Sequence, residues 1–115
     1  MALSEFEQAR IERLMRDYLE RHRPPPHLRD QVDLGYRLKD QTLDLFEIRA
    51  DWQDPKRRLE TPVARARYVK SRGRWRVYWR RSNGRWETYE PMPEVDNLEA
   101  FLALVKDDPY GCFFG

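Results

Sequence analysis

Asp44, Glu47, Arg49 and Asp51 place three carboxylates and a guanidinium within one short stretch. A metal-dependent phosphodiesterase uses such a set to hold a divalent cation and neutralise a phosphate. On a regular strand Glu47, Arg49 and Asp51 would share one face. The pattern is common by chance and lacks the usual lysine two residues after the acid, so a structural Glu47–Arg49 ion-pair network is the plainer reading. Cys112 could act as a thiol nucleophile only with a base, and His22 and His27 are the only histidines. Both lie beside the proline run, far from Cys112 in sequence, so a small buried hydrophobe is the plainer reading of the thiol. The same two histidines lack an obvious third ligand. The sequence thus assigns no catalytic residue, no metal site and no cofactor.

Charge offers a different chemistry. Residues 56–86 hold twelve of the 22 lysines and arginines against one of the 20 acids, Glu60, so a chain of net charge +2 has a centre of +11 and flanks of −9. Tyr68, Trp75, Tyr78, Trp79 and Trp86 are set among these bases. Each cation that displaces condensed counterions from a phosphate backbone adds salt-dependent affinity. Aromatic rings beside arginines add stacking of unpaired bases, which charge alone cannot supply. A charge run is also, more often, only a solvated face or one covered by acidic elements through ion pairs.

The 115 residues suffice for one domain and one core, and 40% apolar with 13% aromatic residues is a folding composition despite 37% charge. No apolar run reaches the ~18 residues of a membrane span, and the amphipathic N-terminus lacks the apolar segment of a signal peptide. A soluble, cytoplasmic protein without membrane contact is expected, and a lone cysteine suits a reducing compartment.

The elements that would carry these residues read as an α+β chain: an N-terminal helix, an antiparallel β-meander of about five strands, and a C-terminal helix. Ser4 and Glu7 form a capping-box pattern ahead of Ile11, Leu14, Met15 and Tyr18 at helical spacing, which predicts a helix over 4–22. Pro24–Pro26 end it and make a stiff link over 23–28. A sheet follows over 32–90, with a hairpin at Lys39-Asp40-Gln41 and a turn region from Asp54-Pro55 to Pro62.

Two turns set the register. A two-residue turn at Arg72-Gly73 would pair Arg67 with Tyr78 and Ala66 with Trp79, and a type I′ turn at Asn83-Gly84 would pair Tyr78 with Tyr89 and Arg80 with Glu87. Ala66, Tyr68, Trp75, Val77, Trp79 and Trp86 then line an apolar face, with Trp79 foremost in the core. Arg65, Arg67, Arg76, Tyr78, Arg80, Glu87 and Tyr89 line the opposite, basic face. Asp96 and Glu99 open a second helix over 97–107, and the apolar tail 109–115 should dock at least one of Phe113 and Phe114 on the core or on a second copy. No internal repeat is present.

The spacing Tyr68…Trp75…Tyr78-Trp79-Arg80…Trp86…Tyr89, the segment Leu45-Phe46-Glu47-Ile48-Arg49 and the ending Asp108-Pro109-Tyr110-Gly111-Cys112-Phe113-Phe114-Gly115 resemble the bacterial family called domain of unknown function 3024. The resemblance runs the whole length. It implies a stand-alone bacterial protein and carries over no activity and no functional residue.

Three functions follow in order. The first is non-enzymatic binding of nucleic acid or another polyanion through Arg65, Arg67, Arg76, Tyr78, Arg80 and Tyr89. The second is a protein–protein module, or a homo-oligomer, whose basic sheet or apolar tail meets an acidic partner or a second copy. A small metal-dependent nuclease using Asp44, Glu47, Arg49 and Asp51 is third. Helix–sheet–helix order also invites comparison with double-stranded-RNA-binding domains. Here, however, the second helix opens Asp96-Asn97-Leu98-Glu99, which repels phosphate, so any nucleic-acid contact must come from the sheet.

Overall fold

The computed structural model describes residues 3–114. Gly115, the last residue of the expected tail, lies outside the described residues. The first helix, α1 (Glu5–His22), starts from the reciprocal Ser4–Glu7 capping box, with acids in its first turn and Arg21 and His22 in its last. Arg23 leaves the helix in extended geometry ahead of the prolines, and a short 3-10 turn, Pro26–Leu28, leads to the sheet.

Five antiparallel strands follow in meander order: β1 (Val32–Lys39), β2 (Thr42–Ala50), β3 (Arg58–Val69), β4 (Arg74–Arg80) and β5 (Trp86–Thr88). A two-residue strand, β6 (Glu94–Val95), also pairs with β4, and α2 (Leu98–Asp107) closes the order. Chain class and element order are those expected from the sequence. Pro62 is a correction: it lies inside β3 rather than ending the turn before it, opposite Phe46 and beside the register shift that leaves Val63 as an extra residue. Proline is tolerated at such a bulge because one ladder hydrogen bond is already missing there. The second helix is capped by Asn97, not Asp96, through the Asn97 side chain accepting from Ala100 N–H at 2.8 Å.

The two hairpin registers also differ from expectation, with different consequences. The β3–β4 loop holds four residues, Lys70–Gly73, and only Gly73 enters the left-handed region (φ +61°). Arg65 therefore faces Tyr78 and Ala66 faces Val77, a shift of two residues that leaves every side chain on its expected face. The β4–β5 loop turns through Ser82-Asn83 with Gly84 N–H donating to Arg81 C=O (2.9 Å), and Gly84 alone has positive φ (+84°). This is the three-residue loop with a glycine bulge instead of the type I′ turn. It slips the register by one, so Tyr78 faces Thr88, Trp79 faces Glu87 and Arg80 faces Trp86.

That slip exchanges two aromatics. Trp86 moves to the face of Arg65 and Arg80, and Tyr89 becomes fully buried in the core. The chain leaves the sheet only briefly after it. Val77 C=O accepts from Tyr89 N–H (2.9 Å) and Val77 N–H donates to Pro93 C=O (3.0 Å), so residues 90–92 loop out between two hydrogen bonds of one β4 residue.

Both helices pack on one side of the sheet. Ile11, Met15 and Tyr18 of α1 and Leu98, Phe101, Leu102 and Val105 of α2 bury Leu43, Leu45, Ala64, Ala66, Trp75 and Val77. Trp75 is the buried tryptophan of this core, while Trp79 is half-buried at its margin, which reverses the expected ranking. Phe113 docks against Tyr89 with ring centroids 4.8 Å apart, and Phe114 stays partly exposed. The Asp108 carboxylate holds this turn by accepting from Phe113 N–H (3.1 Å) and Phe114 N–H (2.8 Å).

Candidate functional site

Side chains alternate across strands, so the residues between the buried ones project from the sheet side that the helices leave uncovered. Two rows cross that outer side. One runs Arg37, Asp44, Arg65, Tyr78 and Thr88 on β1 to β5, and its neighbour runs Lys39, Thr42, Arg67, Arg76 and Glu94. Arg80 and Trp86 pair beyond the first row. The structure thus brings five of the six expected polyanion-binding residues, Arg65, Arg67, Arg76, Tyr78 and Arg80, onto one face. The sixth, Tyr89, belongs to the core, and Trp86 takes a place on the face that the sequence reading did not give it.

Acids from the flanks neutralise part of the central charge. Arg58 meets Asp30 (3.4 Å), Arg72 meets Glu94 (2.9 Å), Arg74 meets Asp96 (3.2 Å) and Arg81 meets Glu87 (2.8 Å). Arg65 makes a two-pronged contact with Asp44 (2.5 and 2.9 Å) that raises the guanidinium pKa above its ordinary value and keeps it charged. Arg67, Arg76 and Arg80 form no ion pair among the described residues, although Glu94 stands opposite Arg76 on β6 and is held by Arg72, and Arg76 Nε is buried without an acceptor. The rings lie close to this group. Arg65 sits 4.4 Å and Arg80 5.5 Å from the Trp86 ring centre, and Arg76 lies 5.9 Å from that of Tyr78. Asp40, Gln41, Thr42, Arg65, Arg67, Tyr78 and Trp86 enclose a shallow depression of about 640 Å³.

The carboxylate cluster is not assembled on one face. Asp44 projects from the outer side into Arg65, whereas Glu47 follows the parity of buried Leu43 and Leu45 and meets Arg49 at 3.4 Å. Asp51 accepts from Gln53 N–H (3.0 Å) and closes the β2–β3 turn. Among the described residues, no three His, Cys, Asp or Glu side chains lie close enough together to hold a metal ion. Cys112 lines a cleft with Trp79, Thr88, Tyr89 and Pro91 that neither histidine enters, and burial pushes its thiol pKa up, away from the nucleophilic thiolate. His22 lies against Tyr18 at the end of α1, with ring centroids 4.5 Å apart and the planes tilted by 40°.

One cue to the placement of Trp86 was present in the sequence. Ser82-Asn83-Gly84 suits a type I turn followed by a left-handed glycine as well as it suits a type I′ turn, and only the former puts Trp86 beside Arg65.

Helix, antiparallel meander and helix, with both helices on one side, define an α+β protein whose second sheet side is open to solvent. The chain belongs to the family described as Domain of unknown function (DUF3024), whose model matches residues 3–115. Neither a curated protein nor a solved structure matches it. Among the described residues, no helix is long and apolar enough to cross a membrane.

Proposed function

We propose that the outer side of the sheet is a basic patch that binds nucleic acid through its phosphate backbone. The observation that carries this reading is Arg67 opposite Arg76, two cations in register with no carboxylate between them, with Arg80 farther along the same side of β4. Glu94 stands on the other side of Arg76 but is engaged by Arg72 (2.9 Å) and Arg74 (3.9 Å), which leaves Arg67 and Arg76 outside any ion pair among the described residues. A phosphate oxygen accepts from two guanidinium groups at once and supplies the missing countercharge. The helices lie on the other side of the sheet, so a backbone approaching this face meets neither acidic helix surface.

Fluorescence anisotropy with labelled 20-nucleotide single strands and duplexes tests the proposal. Binding should weaken steeply as salt rises from about 50 to 200 mM, and Arg67→Glu with Arg80→Glu should lower affinity across sequences and flatten the salt slope. If the wild-type protein binds neither oligonucleotide at low salt, this function is wrong. Retention of an acidic protein instead would favour an interaction module.

A further inference from the structure

We infer that the depression between the β1–β2 turn and the Tyr78–Trp86 edge seats a single unpaired nucleotide, so that the ligand is single-stranded nucleic acid rather than duplex. The inference rests on the polynucleotide reading above and adds the class of strand. Its ground is that the depression is built from two kinds of group at once. Arg67 at its rim, next to Arg76, offers unneutralised donors to a phosphate. Its wall holds flat groups already fixed in place: Asp44 grips Arg65 with both carboxylate oxygens, and the gripped guanidinium lies 4.4 Å from the centre of the Trp86 ring. The neutralised Arg65 therefore adds little net charge to the face. It adds a rigid plane, and guanidinium planes and aromatic rings are the groups on which splayed bases stack.

Tyr78 supplies a second ring, next to Arg65 as its direct cross-strand neighbour. Asp40, Gln41 and Thr42 provide acceptors and donors at the opposite rim, where the edge of a seated base would lie. A volume of about 640 Å³ is within the range of small-ligand sites and exceeds what a single phosphate needs. A duplex keeps its base faces stacked inside and presents phosphates, sugars and base edges, leaving the Arg65–Trp86 plane and Tyr78 with no base face to stack on.

The test compares a labelled 20-nucleotide single strand with the same sequence as a duplex, in wild type, Tyr78→Leu, Tyr78→Phe and Trp86→Ala. The single strand should bind at least about tenfold more tightly. Tyr78→Leu and Trp86→Ala should each weaken single-strand binding by about five- to a hundredfold, with the salt slope and the duplex affinity unchanged. Tyr78→Phe keeps the ring and should bind as wild type does, which assigns the effect to the ring, and the retained duplex affinity of Trp86→Ala guards against a folding defect in that variant. Equal or tighter duplex binding, or equal losses for both ligands in Tyr78→Leu, overturns the nucleotide seat while the backbone-binding function stands. Binding of neither ligand overturns both.

Discussion

Arg67 and Arg76 stand directly opposite each other across the β3–β4 ladder, where like charges repel and no described carboxylate intervenes. Directly opposed like charges cost the sheet roughly 0.2–1 kcal/mol, and an opposite-charge pair gains a similar amount. Arg67→Glu should therefore raise the midpoint of urea denaturation while weakening oligonucleotide binding. Opposite movement of stability and affinity marks a position kept for ligand rather than for fold. A variant that lost stability, or bound unchanged, would remove the argument for this pair.

An ion pair ties the start of the link between α1 and the sheet to β1. Arg23 donates to both oxygens of Asp33 (2.9 and 2.6 Å), and Leu34 N–H donates to the same carboxylate (2.8 Å). The Arg23 hydrogen bonds lower the Asp33 pKa, against the opposing effect of burial. A depressed folded-state pKa means stability that is present above the unfolded value of about 3.9 and lost as pH falls through the folded one. Asp33→Asn should cost about 1–2 kcal/mol at pH 7, a figure discounted for the partly exposed Arg23 side chain. The gap between variant and wild type should narrow progressively as pH falls below the unfolded value of about 3.9, as read by urea denaturation at each pH.

The faces of β3 and β4 were legible in the sequence because a two-residue error in register is invisible to a period of two. An Arg72-Gly73 turn pairs Arg67 with Tyr78, and although the structure pairs Tyr78 with Arg65 instead, both lie on the outer side. The β4–β5 slip was of one residue, and one residue inverts a strand. Trp86 and Tyr89 exchanged roles for that reason alone, since Asn-Gly supports two turn geometries that differ by one residue in loop length. The helices were read to within a residue because caps and prolines are local signals, whereas the Asp44–Arg65–Trp86 stack spans three strands and no local pattern announces it.

Gly35 is glycine for space. A Cβ there would stand 2.7 Å from Cε2 of the buried Phe46 ring and 3.3 Å from Cδ1 of Ile48. Gly35→Ala should destabilise by about 1–3 kcal/mol, the usual cost of overpacking. Combined with Phe46→Leu, the loss should be smaller than the sum of the two single losses, because the leucine vacates the space that the methyl needs. Additive losses in urea denaturation would place the strain elsewhere.

The C-terminal turn makes the two phenylalanines unequal. Phe113 is 7% exposed and packs on Tyr89, while Phe114 is 46% exposed and shares only the backbone contact to Asp108. Burial of a phenyl ring contributes about 1.5–3 kcal/mol, so Phe113→Ala should lower the melting temperature by several degrees and Phe114→Ala should change stability by no more than about 0.5 kcal/mol. Truncation after Pro109 removes the ring and both amides that Asp108 accepts from, and uncovers Tyr89, whose pKa burial raises and whose hydroxyl already lacks a partner. The truncated protein should therefore melt at or below the temperature of Phe113→Ala, with an unchanged mass in light scattering. Equal effects of the two alanine variants would mean that the turn holds the tail by its backbone, and a fall in mass on truncation would mean that the ring joins two copies.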